Sequence, residues 1–377
     1  MNLLMLSGDA TVAQGYEGAF SQMLGRFCKH WDRIDILCPR ASGASARVIH
    51  GNVYIHPSPH HKAFQLWFIL QQGRALIAER EYALITSHDF GLFYNGLGAQ
   101  RLSRLSGIPY VSEILHVEGY PRAVTLRERL YRIIAKSYIR AARSRAAAFR
   151  VMNRIEMPEL LRRLGVPDEK ILILPAIYID YSIFRPLPDE ARQFEVLFVG
   201  RLASNKGLFT ILDAFDLARH TYPEARLGIL GRGPLQRALE RRIARLGLSH
   251  AVTLIERLPG PQDVARLYNR SAMLVCASTA EGGPRVAVEA MACGVPVIST
   301  PVGVMRELII DGQNGSLFNW DARELADKIC ALLANEALRR QVAEVGRQSV
   351  QGFDADSVIA AYARGYQELV RRLKGQT

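Results

Sequence analysis

Short apolar, β-rich runs alternate with helix-period segments throughout the chain, and this constrains the fold more than any other feature. Strand-like runs are predicted at Leu3–Leu6, Arg33–Leu37, Ala83–Thr86, Tyr110–Leu115, Ala148–Met152, Glu195–Val199, Arg226–Leu230, Val252–Ile255, Met273–Cys276 and Pro296–Ser299. Helical segments such as Leu208–His220, Leu235–Leu246 and Ala322–Leu333 lie between them. Strands apolar on both faces and separated by helices belong to parallel sheets covered on both sides. At 377 residues the chain is long enough for at least two cores.

The break between the two halves is legible. Residues 178–190, Y-I-D-Y-S-I-F-R-P-L-P-D-E, carry two prolines and little helical period, which is linker composition. The expected organisation is therefore an α/β chain of two doubly wound, Rossmann-like domains facing a central cleft. Residues 1–177 form the first, an acceptor-binding domain, 178–190 the linker and 191–355 the second, which binds the donor; a terminal helix at about 356–377 is a candidate to pack back on the first domain. Ligands of such sheets bind outside the carboxyl ends of the strands.

The richest stretch is Ser278–Ile298, which holds Glu281 and Glu289. Glu281 follows a buried strand beside Gly282 and Gly283, where backbone can approach a ligand. Glu289 falls about two turns into a helix, and a carboxylate there can accept both hydroxyls of a ribose diol. The helix start offers free N–H groups to a phosphate. Two further strand ends join it: G-R-L-A-S-N-K-G at Gly200–Gly207, with Arg201 and Lys206 suited to a diphosphate, and L-G-R-G-P at Leu230–Pro234, whose Gly231 and Gly233 expose backbone to a flat base. Any one of these is an ordinary strand–loop–helix unit. Their succession within one domain is not.

With these motifs, and with V-G-V-M-R-E-L-I-I-D-G-Q-N-G-S-L-F at Val302–Phe318, residues 178–335 resemble the family 4 glycosyltransferases (group 1) of GT-B fold, which are retaining enzymes using activated sugar nucleotides. The resemblance implies donor binding by Gly15, Arg201, Lys206, Gly231, Gly233, Gly283, Arg285, Val286 and Glu289, with the donor a UDP- or GDP-sugar. It implies catalytic roles for His116, Arg201, Lys206 and Glu281, with Glu281 at the sugar and Glu289 at the ribose. Two positions depart from the family pattern: Pro284 removes a backbone donor where relatives carry E-G-F-G, and Glu256 replaces a usual glycine near the base. The first half resembles the family more weakly, through the Ser7–Phe20 loop and His116; His88 is a second candidate there.

The formal charge is +12, which suits nucleic acid, an anionic membrane surface or a phosphorylated substrate alike. Residues 122–154 hold ten basic residues against one acid, Glu128. Arg132, Lys136, Arg140 and Arg143 interleave there with Arg127, Tyr131, Ile134, Tyr138 and Ile139 at near-helical spacing. This reads as a solvated helix face, a helix on an anionic leaflet, or a nucleic-acid surface, the last without a stacking platform. The five cysteines form no C-x-x-C pair and read as buried small hydrophobes in a reducing compartment. The start of the chain has no basic n-region and reads as a buried strand, and no apolar run reaches the length of a spanning helix.

The expected activity is sugar transfer from a nucleoside-diphosphate sugar to an acceptor hydroxyl, with a lipid-linked or cell-envelope glycan as acceptor. No cofactor and no metal are expected, since no D-x-D pair stands in the segments that would form the cleft. The expected location is the cytoplasm, on the inner face of the plasma membrane. The rival readings are a sugar-nucleotide-binding or nucleic-acid-binding module without activity, and a related epimerase or phosphorylase.

Overall fold

A computed structural model of the protein describes residues 1–16 and 18–375; Glu17 of the Ser7–Phe20 loop and residues 376–377 lie outside them. The chain divides into two compact units. The first takes residues 1–118, 130–176 and those from 356 onward, and the second takes 119–129 and 177–355.

In the first unit the strands are β1 (Asn2–Leu6), β2 (Arg33–Cys38), β3 (Arg47–Ile49), β4 (Val53–Pro57), β5 (Leu84–His88), β6 (Tyr110–Glu113), β7 (Ala148–Val151) and β8 (Ile171–Ile173). They form one sheet in the order β3-β4-β2-β1-β5-β6-β7-β8. The pairings are parallel except that of the edge strand β3, which runs antiparallel to β4. Helices α1 (Ala19–Phe27), α2 (Gln65–Glu79), α3 (Tyr94–Ser106), α4 (Leu126–Ala142) and α5 (Glu156–Arg163) connect them.

The second sheet contains β9 (Phe194–Val199), β10 (Leu227–Leu230), β11 (Val252–Ile255), β12 (Ser271–Cys276), β13 (Val297–Ser299) and β14 (Ser316–Leu317). Its order is β11-β10-β9-β12-β13-β14, parallel throughout. Helices α6 (Leu208–Arg219), α7 (Gln236–Arg245), α8 (Pro261–Asn269), α9 (Arg285–Ala292), α10 (Met305–Leu308), α11 (Ala322–Ala334) and α12 (Glu336–Ser349) complete this unit. Its core joins strand residues Val196, Ile229, Met273 and Ile298 to Ile211, Phe215, Leu239, Leu325 and Ile329 of the helices.

The strands too short or too mixed to show periodicity, β3, β4, β8 and β14, are absent from the sequence reading. All five cysteines are free, four of them buried. Among the described residues no helix is long and apolar enough to cross a membrane.

Two segments behave differently from their composition. The 178–190 stretch, read as a linker, is packed into the second unit: Ile179 pairs with Asp354 and its N–H reaches Phe353 O at 2.7 Å, while Phe184 is buried beside Tyr268. Residues 119–129, read as part of the first domain, cluster with the second. The terminal helix α13 (Ala355–Lys374) returns to the first unit, where the hydroxyls of Tyr362 and Tyr366 donate to Oε1 of Glu113. That carboxylate also accepts from Arg150 at 2.9 Å. Burial alone would raise the Glu113 pKa, but Arg150, His88 and the two tyrosine hydroxyls bring it below the ordinary value.

Candidate active site

In the second sheet the chain steps from β9 outward to β10 and later to β12 on the opposite side. The sheet thus has a topological switch between β9 and β12, where the loops leaving the carboxyl ends diverge and open space for a ligand. The loop after β9 is Gly200–Gly207 and the loop after β12 begins at Ala277 and carries Glu281. These are the segments singled out in the sequence.

Sequence-distant groups meet here. Lys206, in the 3-10 turn Ser204–Lys206, forms a salt bridge with Oε1 of Glu281. The hydroxyl of Ser278 donates to the same oxygen. The Ser278 carbonyl is held in turn by Thr300 Oγ1 at 2.6 Å and Trp320 Nε1 at 2.8 Å, so the carboxylate sits on a fixed backbone. Arg201 is exposed at the mouth of the same loop.

The glycines have a structural explanation of their own. Gly207 stands at φ +64°, and a Cβ there would lie 2.1 Å from Ala277 O, which allows the β9 and β12 loops to touch. A Cβ on Gly231 would lie 1.9 Å from Gly200 O, and one on Gly233 2.3 Å from Leu202 O. Gly231 and Gly233 are thus required where the β10 loop crosses the β9 loop. Gly283 packs against Ile177 and Val304, where a Cβ would come within 2.4 Å of Ile177.

Helix α9 starts at Arg285 and Val286, after Pro284 in extended backbone. Glu289 is 7% exposed. Arg285 Nε donates to its Oε1 at 2.8 Å, and Tyr268 Oη to its Oε2 at 3.1 Å. Burial raises its pKa, with Arg285 opposing the shift. Among the described residues each oxygen has one hydrogen-bond donor, which leaves acceptor capacity on both. The Arg285 guanidinium also lies 4.7 Å from the centre of the Tyr178 ring, so the segment read as a linker supports the arginine that holds Glu289. Glu256, the other departure from the family pattern, is exposed and bonded to Arg232 at 2.7 Å.

A segment that the sequence reading did not connect with the site is stitched to these loops. Arg122 N donates to Thr279 O at 3.2 Å, Thr279 N to Asn205 O at 2.8 Å, and Asn205 Nδ2 to Ala280 O at 3.1 Å. Thr125 and Glu128 form a reciprocal cap at the start of α4: Glu128 N reaches Thr125 Oγ1 at 3.1 Å, and Thr125 N reaches Glu128 Oε2 at 3.2 Å. The second oxygen of Glu128 accepts from Ser204 Oγ at 2.8 Å. The signal T-x-x-E was present in the sequence as a helix start, but nothing local pointed to Ser204.

In the first unit, Gly15 closes a short turn at φ +81°, against the side chain of Arg47. His116 follows β6 and is half-buried. His88 ends β5 with its ring edge-on to Phe90, and burial lowers its pKa. Beside it, Asp89 is buried and accepts from Ser87, Ser112 and Tyr138 through Oδ2, while Oδ1 has no hydrogen-bond partner among the described residues.

The basic helix is present as α4, but with a different apolar face. Tyr138 and Ile139 are core residues, whereas Leu126, Leu130 and Ile133 point outward. Arg140 and Arg143 are exposed, Arg143 bonding Leu164 O at 3.3 Å, and Arg132 and Lys136 are half-buried. Among the described residues no group of three or more His, Cys, Asp or Glu side chains could hold a metal ion.

The fold defines a class. Sucrose-phosphate synthase from Thermosynechococcus elongatus superposes with a TM-score of 0.80 at 22% identity, over 98% of this chain and 99% of that one. Anabaena HepE in complex with UDP-glucose superposes with a TM-score of 0.74 at 20% identity, over the full length of both. Both share the GT-B arrangement of two parallel-sheet halves. Residues 182–349 match the model of the glycosyl transferases group 1 family. An uncharacterised glycosyltransferase of Methanocaldococcus jannaschii is 33% identical over 174 residues, 46% of this chain and 48% of the relative. The match thus spans about half of that relative's length.

Proposed function

We propose that the protein transfers a sugar from a nucleoside-diphosphate sugar to an acceptor hydroxyl with retained configuration. The observation that carries this reading is the meeting of Lys206 and Glu281 at the switch point of the second sheet. A cation and a hydroxyl-binding carboxylate are then side by side where a diphosphate and its sugar would lie. Arg201 and Lys206 offset the charge that develops on the leaving diphosphate, a preorganised arrangement that is usually a large part of the catalytic effect. The backbone at Gly283, Arg285 and Val286 adds N–H groups at the start of α9. Glu281 accepts from the sugar hydroxyls and Glu289 from the ribose.

Retention follows from attack on the face from which the diphosphate departs. The bond from the anomeric carbon to phosphate oxygen breaks, the bond to the acceptor oxygen forms, and the departing phosphate takes the acceptor's proton. No metal is needed in this scheme, because side chains and a helix terminus supply the positive charge. Gly15 and His116 enter on the family resemblance alone. The donor is a UDP- or GDP-sugar, in keeping with the UDP-glucose held by the Anabaena neighbour. The acceptor is a lipid-linked or envelope glycan, in keeping with Arg132, Lys136, Arg140 and Arg143 on one helix and a working place at the inner face of the plasma membrane.

A thermal-shift panel of UDP-, GDP- and ADP-sugars tests the donor assignment. A ligand that binds only the folded state raises the midpoint by mass action. One nucleotide class should raise it and the others leave it unchanged; a flat response to all three refutes the reading.

A further inference from the structure

In the donor reading, Lys206 holds the diphosphate at the loop after β9, and Glu281 holds the sugar on the β12 side. The sheet order is β11-β10-β9-β12, so the strand ends on the other side of β9 are those of β10 and β11. They are left for the base. Arg232 stands there between Gly231 and Gly233, after β10, and Glu256 directly follows β11.

The backbone of both residues is fixed and their side chains reach solvent. Gly231 N donates to Ile255 O at 2.8 Å, which ties the two loops together. Leu202 N donates to Arg232 O at 2.9 Å, which anchors them to the loop of Arg201. The side chains of Arg232 and Glu256 are 62% and 55% exposed. Arg232 Nη2 donates to Oε2 of Glu256 at 2.7 Å, and Gln236 Nε2, at the start of α7, donates to Oε1 at 3.2 Å. Gln236 and Arg232 also hold the Glu256 pKa below its ordinary value. The carboxylate is therefore an oriented, ionised acceptor with lone pairs to spare, beside a guanidinium that carries five N–H donors.

Such a pair selects among bases by the pattern of their edges. Guanine presents O6 as an acceptor, then N1–H and the 2-amino group as adjacent donors, which match the two oxygens of one carboxylate. Uracil has a single N–H between two carbonyl oxygens, which a carboxylate repels. Adenine has one amino donor beside an acceptor nitrogen. We propose that Arg232 and Glu256 select guanine, so that the donor is a GDP-sugar. The Glu256 carboxylate accepts from N1–H and the 2-amino group, and the Arg232 guanidinium donates to O6. This rests on the donor reading above and narrows its two nucleotides to one. Both residues determine specificity and neither touches the reacting atoms.

The test is calorimetric titration of the full chain with GDP, IDP, UDP and ADP. IDP keeps O6 and N1–H but lacks the 2-amino group, so it isolates half of the fork. Wild type should bind GDP about tenfold or more tightly than UDP or ADP, the discrimination expected of a good bidentate contact to a base, and several-fold more tightly than IDP. Glu256→Gln should weaken GDP about tenfold, close the gap between GDP and IDP, and leave UDP nearly unchanged. Arg232→Ala should weaken GDP and IDP alike, because both present O6. Exposed ion pairs contribute little to stability, so both variants should keep the wild-type melting temperature. A merely structural disturbance would weaken all four nucleotides in proportion and overturn the proposal. Tighter binding of UDP or ADP than of GDP by wild type overturns the guanine assignment and leaves the donor reading standing. A GDP-to-IDP ratio unmoved by Glu256→Gln overturns the role of the carboxylate. Failure of all four to bind refutes the donor reading and the base assignment with it.

Discussion

Lys206 and Glu281, 75 residues apart in sequence, share a salt bridge in which the carboxylate is also fixed by Ser278. Both partners are largely shielded from water, so each depends on the other for charge compensation. Arg201, on the same loop, is exposed.

This contrast separates two variants. Arg201→Ala should lower kcat/KM by about 100-fold, as loss of a preorganised donor does, with the melting temperature unchanged. Lys206→Ala should lower activity at least as much and also lower the melting temperature, because it leaves Glu281 unpaired. Steady-state kinetics and calorimetry on both variants check this. Near-normal transfer by either would remove that residue from the clamp.

Glu289 is held by Arg285 and Tyr268 with acceptor capacity to spare. Glu289→Gln should raise KM for the donor about tenfold or more with a smaller change in kcat, the pattern of lost uniform binding. The variant should also bind a nucleoside diphosphate and its 2′-deoxy analogue alike. If wild type itself fails to distinguish the two nucleotides, the ribose assignment is wrong.

Transfer should proceed in EDTA at an unchanged rate, because Arg201, Lys206 and the start of α9 are proposed to carry the charge of the leaving diphosphate. An assay with and without chelator, followed by Mg²⁺ or Mn²⁺ addition, decides it. Activity abolished by EDTA and restored by either ion would overturn the metal-free mechanism.

Asp89 gives a pH signature. Burial raises its pKa to about 7 despite hydrogen bonds from Ser112, Ser87 and Tyr138. The folded state therefore holds a proton that the unfolded chain releases near its ordinary value of 3.8. Its stabilising contribution is full below that value and is lost as pH rises toward 7. Asp89→Asn should flatten this fall between about pH 4 and pH 7, as read from denaturant melts across that window. Parallel stability curves for wild type and variant would contradict the assignment.

Glu113 anchors α13 through Tyr362 and Tyr366 while pairing with Arg150, all buried. Glu113→Ala should cost about 3–5 kcal/mol, since it strands a buried guanidinium. Tyr366→Phe should cost about 1–3 kcal/mol, the range for hydrogen bonds to charged groups and for unsatisfied buried acceptors. Chemical denaturation measures both, and equal effects would argue against Glu113 as the shared anchor.

What the sequence determined is local. A continuous apolar run specifies a buried strand, and Gly200–Gly207, Leu230–Pro234 and Ser278–Ile298 each announce a strand end followed by a loop and a turn or helix. The order of those motifs was enough to place Arg201, Lys206, Glu281 and Glu289 in one domain, because residue type and spacing are read within a few turns of chain. Tertiary structure decided which of them meet. The Lys206–Glu281 pair and the seat of Glu289 between Arg285 and Tyr268 depend on sheet order, which brings distant strand ends together and leaves no local pattern. The same holds for residues 119–129, whose Thr125–Glu128 cap was written in the sequence while its second partner, Ser204, came only from the fold. On α4 the period showed an amphipathic helix but not which apolar residues the core would take. Tyr138 and Ile139 were taken inward by packing and Leu126, Leu130 and Ile133 left outside, a choice that belongs to the neighbouring elements and not to the helix itself.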